Sequence, residues 1–208
     1  MSRVLVTGFE PFGGETTNPS YDAAVLVPGA TAVELPCVFA DAPAALREAI
    51  ERYDPDVVLC TGQAGGRAGI TMEKVAINLI EARIPDNAGA RPSGVPVVPG
   101  GPDAYLSRLP VKAMVRAVRT EGIPAAVSYT AGTFVCNQVA YELAHLIATE
   151  RPGLRGGFVH VPYAPHQVSG VTGADRPSMD TATVARALGV LVQASDGVED
   201  DLPEGAVQ

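Results

Sequence analysis

Three residues in this sequence could together perform nucleophilic acyl chemistry: Cys136, His160 and Glu73. Cys136 stands in Ser128 to Leu146, "SYTAGTFVCNQVAYELAHL". Val135, Val139, Leu143 and Ile147 recur there at helical spacing behind the small-residue turn "TAGT", so the pattern predicts a helix beginning at the cysteine. Backbone N–H groups at a helix start favour negative charge, which would promote the thiolate and with it nucleophilicity. A small buried hydrophobe heading a core helix is the other reading of the same position.

His160 lies in "FVHVPY", at the end of an apolar run closed by Pro162. A cysteine and a histidine far apart in sequence can meet as nucleophile and base. A histidine hydrogen-bonded at the end of a sheet is the alternative. His145 falls in the cysteine helix and reads as outward-facing or packed on a neighbour, and His166 lies in a loop. A histidine base needs a third group to hold its ring and stabilise the imidazolium. Glu73 interrupts the apolar segment "ITMEKVAIN" after a glycine loop. It also reads as a solvated carboxylate paired with Lys74 or an arginine, and spacing leaves Glu81 and Asp86 open for the third position.

The elements that must position these groups alternate. "RVLVTGF", "TAVELPCVF", "PDVVLCTG", "IPAAVSY" and "GGFVHVPY" read as strands, and "YDAAVLV", "DAPAALREAIERY", "VKAMVRAVRTEG" and "TATVARALGVLVQ" as helices. Such alternation predicts an α/β domain whose largely parallel sheet is covered on both faces. Sites in such sheets gather beyond the carboxyl ends of strands. Turn segments follow predicted strands at Gly8–Gly14, Gly62–Gly69, Thr130–Thr133 and after His160, so all four are expected at one edge. Ile84 to Pro102 reads as a long functional loop. Residues 1–194 are expected to form one domain and the acidic stretch 195–208 a disordered tail.

Composition excludes several classes. The chain has 208 residues and a net charge of −8, from 23 acidic against 15 basic residues, with no basic run. A nucleic-acid groove or an anionic membrane surface is therefore disfavoured. No apolar stretch reaches the 18 or so residues that span a bilayer, and "MSRVLVTGFEPFGG" has too short an apolar run for a signal peptide. A soluble cytoplasmic protein is the expectation. Cys37, Cys60 and Cys136 are odd in number and contain no C-x-x-C pair, so neither a disulfide framework nor a zinc site is suggested. Core packing is expected for Cys37 and Cys60. "TGFEPFGG" lacks both G-x-G-x-x-G and the P-loop Lys-Ser/Thr, which leaves a nucleotide site little support.

Longer motifs add a resemblance. "GQAGGRAGITMEKVAIN" is similar to the glutamate motif, and "IPAAVSYTAGTFVCNQV" to the cysteine motif, of the pyroglutamyl peptidase I (pyrrolidone-carboxylate peptidase) family. "VTGFEPFGG" with "NPS", "EARIPDNAG", "GPDAYLSRLPVKAM" and "FVHVPYAPHQ" resemble its other blocks in the same order, from about Arg3 to Gln167. The resemblance implies a three-layer α/β/α sandwich around a mixed, largely parallel sheet. It implies a cysteine peptidase that removes N-terminal 5-oxoproline from peptides, with no metal or cofactor. A homo-oligomer, tetramer or dimer, is implied as well. Cys136 becomes the nucleophile, His160 its acid–base partner and Glu73 the third member, with Arg83 beside the Cys136 N–H at the oxyanion. Phe9 and Phe12 would flank the lactam ring, with Phe134 as a further wall. Backbone groups around Gln63 and Val135 would bind the lactam amide. His166 stands where an acidic residue is usual, a departure outside the triad near the mouth of the site.

Overall fold

The computed structural model of the chain describes residues 2–169, 176–201 and 203–205. A strand covered on both faces has no polar side to alternate with, and so reads as a continuous apolar run. β1 (Val4–Phe9) and β3 (Val57–Gln63) are such strands, and β10 (Arg155–Val161) becomes one from Phe158 onward. With β2 (Ala30–Leu35), β4 (Ile70–Glu73) and β9 (Ala125–Ser128) they form one sheet in the order β2-β1-β3-β10-β4-β9. The first four run parallel. β4 runs against β10, and β9 is parallel to β4.

Helices α1 (Pro19–Ala24), α3 (Val111–Thr120) and α6 (Thr181–Ala194) cover one face, and α2 (Ala42–Tyr53) and α4 (Val135–Thr149) the other. Strand side chains alternate between the two cores: Leu5, Val58, Cys60 and Phe158 face α2 and α4, while Val6, Leu59 and Val159 face α1, α3 and α6. The chain is thus the three-layer α/β/α sandwich around a mixed sheet. Cys37 and Cys60 are buried free thiols, as expected. α4 approaches β10 closely because Gly156 presents no side chain. A β-carbon there would lie 3.0 Å from Leu143 Cδ2 and 3.1 Å from Ile147 Cδ1.

Two expectations need correction. The carboxyl ends of β1, β3 and β10 share one edge, but β4 reverses the polarity, so β9 delivers its following turn from the other direction. That turn comes back to the edge, where Arg67 of the β3–β4 loop donates to the Thr130 carbonyl at 2.9 Å. Second, the tail is not detached over its described residues. Glu199 accepts the Lys112 N–H at 2.9 Å and pairs with Lys74 at 3.2 Å; Asp200 pairs with Arg116 at 2.8 Å, and Glu204 with Arg119 at 2.5 Å. The acidic stretch meets a basic face of α3 that composition could not reveal.

Ile84 to Pro102 is also less irregular than expected. β7 (Ser93–Val95) pairs with β6 (Ile80–Glu81), and β8 (Ala104–Leu106), just beyond it, pairs with β5 (Val75–Ile77). Asp86 holds the loop's start: its carboxylate accepts the N–H groups of Phe39, Ala88 and Ala90 at 2.8–3.0 Å. A single turn, α5 (Pro165–Val168), follows β10.

Candidate active site

The register of β10 on β4 sets His160 opposite Thr71. Glu73, two residues further, emerges on the same face as Thr71 and reaches back to the imidazole. Its Oε1 lies 2.7 Å from His160 Nδ1, with both side chains almost wholly buried. A carboxylate only accepts, so Nδ1 carries the proton and Nε2 is left as the basic nitrogen. Glu81 and Asp86, the alternatives for this role, are engaged elsewhere: Glu81 accepts the Ser93 hydroxyl, and Asp86 pins its loop. The ring of Phe158, 4.9 Å from that of His160 between centroids, walls off the other side.

Cys136 is the second residue of α4. No side chain caps this helix, and the Gln138 N–H bonds back to the Phe134 carbonyl. The N–H groups of Val135 and Cys136 therefore have no intrahelical partner and stand free at the positive end of the helix. The helix start is fixed from behind by two buried side chains. Asn137 bonds the backbone of Ile77 and Leu79, and Gln138 donates to the Phe39 carbonyl. The sulfur rests over Gly62, where a β-carbon would lie 2.8 Å from it.

The electrostatics qualify the expectation of a ready thiolate. Burial pushes the Cys136 thiol well above the ordinary range, with Cys37 and Glu73 adding to the rise and Arg67 opposing it. Burial lowers His160 below the usual imidazole value, outweighing the opposite pull of Glu73. Both shifts favour the uncharged form of each group, because burial disfavours charge.

Cys136 and His160 line one cleft of about 460 Å³, together with Phe12, Gln63, Arg83, Phe134 and Tyr163. A smaller cavity of about 290 Å³ opens near the amino end of β10, by Tyr105, Arg155 and Asp196, and holds no nucleophile–base pair. Phe12 and Phe134 face each other with centroids 6.3 Å apart, and the edge of Phe39 braces Phe134 at 5.0 Å. Phe9 departs from the expectation. It is 2% exposed, packs on Phe158 in the core and does not line the cleft. It closes β1 and points inward, so it supports the floor rather than forming a wall. Val135 is likewise buried, leaving only its backbone to act.

Gln63 ends β3, whose pairing with β1 stops at Cys60, and its side chain is held by Gln167 at 2.9 Å. Arg83 is exposed at the rim and joins no ion pair among the described residues. His145 packs on Tyr141 and bonds the Tyr105 hydroxyl at 2.8 Å. His166 bonds Thr17 at 2.8 Å and does not line the cleft.

The profile of the pyroglutamyl peptidase family matches residues 2–196. The chain belongs to that family. A pyrrolidone-carboxylate peptidase of Streptomyces coelicolor is 60% identical over 94% of this chain and 92% of its own length. One from Enterococcus faecalis is 48% identical over 96% of each. The crystal structure of Bacillus amyloliquefaciens pyroglutamyl peptidase I superposes with a TM-score of 0.91 at 46% identity, covering 97% of this chain and all of that one. The pyrrolidone carboxyl peptidase of Thermococcus litoralis also gives 0.91, at 36% identity, over 98% of this chain and 100% of that one.

Within this pyroglutamyl peptidase fold, two site residues had escaped the reading of the sequence. Tyr163 lines the cleft, its ring seated against Gly65, where a β-carbon would lie 2.2 Å from the hydroxyl. Arg67 touches Glu73 from behind. The only sequence signal for Arg67 was a lone cation in a glycine loop six residues ahead of Glu73. Tyr163 had only its place beside Pro162.

Proposed function

We propose that this protein removes N-terminal 5-oxoproline from peptides, with Cys136 as nucleophile, His160 as acid–base and Glu73 as the residue that orients the imidazole. The observation that carries this reading is the Glu73–His160 bond at 2.7 Å in the cleft that also holds Cys136 at an uncapped helix start. The names of its relatives support the substrate.

A pyroglutamyl terminus has no free ammonium, so recognition rests on shape and amide hydrogen bonds. Phe12 and Phe134 form the apolar walls for the lactam, and backbone groups near Gln63 and Val135 meet its N–H and C=O, since an unpaired buried amide is costly. As the sulfur attacks the pyroglutamyl carbonyl carbon, its proton passes to His160 Nε2, and Glu73 stabilises the imidazolium. The carbonyl π-electrons move to oxygen, which is met by the Cys136 N–H and by Arg83; a donor of this kind is worth about 2.7–4 kcal/mol. Collapse expels the amine, protonated by His160, and leaves a thioester. Water, deprotonated by the same Nε2, attacks the thioester; 5-oxoproline leaves, and the returning thiolate takes the proton back. No cofactor enters this sequence of steps.

The protein is further inferred to be cytoplasmic and a homo-oligomer, tetramer or dimer. Among the described residues no helix is long and apolar enough to cross a membrane. Val25 and Leu26, more than half exposed beside α6, offer apolar surface for contact between copies.

Release of a fluorophore from a pyroglutamyl amide, run beside prolyl and glutamyl amides under reducing conditions, tests the assignment. Cleavage confined to the pyroglutamyl compound, blocked by thiol alkylation and absent in Cys136→Ala, is the expected result. Turnover by folded Cys136→Ala at the wild-type rate would sink the mechanism.

A further inference from the structure

Glu73 Oε1 serves two donors. His160 Nδ1 lies 2.7 Å away and Arg67 Nη1 2.6 Å, while Oε2 is buried and accepts from no group among the described residues. Arg67 reaches further. Its Nη1 also contacts the Thr71 hydroxyl, which faces the His160 carbonyl at 3.4 Å, and its Nη2 donates to the Thr130 carbonyl at 2.9 Å. Thr130 belongs to the turn that launches α4 and Cys136. One guanidinium thus joins the β3–β4 loop, the carboxylate that orients the base, and the turn that carries the nucleophile.

We propose that Arg67 is a positioning residue of the acyl-transfer site, locking Glu73 onto the imidazole and tying that pair to the turn before Cys136. This rests on the assignment of the triad above. Arg67 does not line the cleft; its bonds go to Thr71, Glu73 and Thr130. Its fork is planar and rigid, so two bonds from one guanidinium fix both the carboxylate and the turn, which a lysine ammonium could not do in the same geometry.

Charge gives Arg67 a second effect on the same pair. The charged and titratable groups facing His160 are Glu73 from β4, Arg67 from the β3–β4 loop and Cys136 from α4, with Tyr163, Glu81 and Arg83 around the same cleft. With a neutral imidazole, the buried carboxylate has Arg67 as its counter-ion. Without that cation Glu73 would draw a proton onto His160 and hold it there as imidazolium, which cannot act as a base. Arg67 opposes that pull and keeps His160 poised to accept the thiol proton.

The test is Arg67→Met and Arg67→Lys in the full chain, with kcat, KM and the pH profile of kcat/KM on a pyroglutamyl amide, and iodoacetamide alkylation of Cys136 across pH. Melting temperatures report whether each variant folds. In Arg67→Met, kcat falls about 10²-fold, the size expected when a reacting group is misplaced by about 1 Å, with KM within threefold of wild type. The acidic limb of the profile moves to higher pH. Arg67→Lys keeps the charge and loses the fork: its limb stays at the wild-type position while kcat drops about tenfold. A kcat within threefold of wild type in Arg67→Met, or a loss confined to KM, overturns the proposal. If Arg67→Met does not fold, Arg67→Lys decides, and an unchanged kcat there overturns it. Alkylation is independent of substrate. A wild type that cleaves no pyroglutamyl amide defeats the assigned function, whereas wild-type alkylation behaviour in a folded Arg67 variant defeats the role given to Arg67.

Discussion

Gly62 is the floor on which the Cys136 sulfur rests: a β-carbon at Gly62 would lie 2.8 Å from that sulfur and 3.0 Å from Phe158 Cζ. The strand and the Cys136 sulfur can approach this closely only because no side chain intervenes. Gly62→Ala must push either the sulfur or the Phe158 ring that walls His160. Overpacking of this kind destabilises by about 1–3 kcal/mol. The activity loss should be larger than that figure implies, about 10²-fold in kcat, because the sulfur leaves its line of attack. A denaturant midpoint and steady-state kinetics on one sample separate the two effects, and full activity in Gly62→Ala would remove Gly62 from the machinery.

Burial lowers His160 and Glu73 raises it. The acidic limb of kcat/KM, which reports the neutral base, is therefore expected below the ordinary imidazole value of about 6.5. Glu73→Gln removes the upward pull, so its limb should move further to acid, opposite to the direction in Arg67→Met. In the proposed role of Glu73, losing its carboxylate should also lower kcat by about 10³–10⁴. The sign for stability follows too. An imidazole lowered on folding binds its proton more readily in the unfolded chain, so its neutral burial favours the fold above about pH 6.5 and is lost progressively as pH falls below it. Paired pH profiles of the two variants check the opposing directions.

Arg83 has the exposure of a surface residue and joins no ion pair among the described residues. Arg83→Ala should leave the melting temperature almost unchanged, within about 0.5 kcal/mol of stability. If it meets the oxyanion, kcat/KM falls about 10²–10³-fold. Unaltered kinetics would return the oxyanion to backbone donors alone.

Glu199 caps a helix from outside its own segment. Pro110, the N-cap of α3, offers no side-chain acceptor, and Glu199 accepts the N–H groups of Lys112 and Ala113 while pairing with Lys74, the neighbour of Glu73. Glu199→Ala should cost about 1 kcal/mol, as loss of an N-cap does. Burial raises the Glu199 carboxyl, but the Asp200 N–H, Lys74 and the N–H groups of Lys112 and Ala113 together hold it below its ordinary value. A lowered carboxylate stabilises above its unfolded value of about 4.3, and the contribution disappears as pH falls through the folded value. Wild type and variant should therefore differ in melting temperature at neutral pH and converge in acid. Equal melting temperatures at pH 7 would show that the tail contact contributes nothing.

Much of the site was legible because its signals are local. The apolar recurrence from Val135 to Ile147 announced α4 and placed Cys136 in its first turn, and "FVHVPY" announced a strand with His160 near its carboxyl end. Glu73 stood out as the carboxylate in an apolar run. The inward burial of Phe9 was not legible, for an equally local reason. A phenylalanine at a strand end beside a glycine loop has the same sequence context whether it turns into the cleft or into the core, and only the packing of Phe158 beneath it decides.

By itself, then, the order of residues determined the elements, their buried faces and the chemistry available at each end, because periodicity and turn chemistry act over a few residues. Tertiary structure decided what those faces meet. The reversal of β4 brings Glu73 to His160, since strand direction depends on which neighbour a strand finds and not on its own pattern. The link from Arg67 to Glu73 and Thr130 spans 63 residues at its farthest, and the tail's bond to Lys74 spans 125. Charge and shape complementarity at such separations exist only once the chain has folded around its sheet.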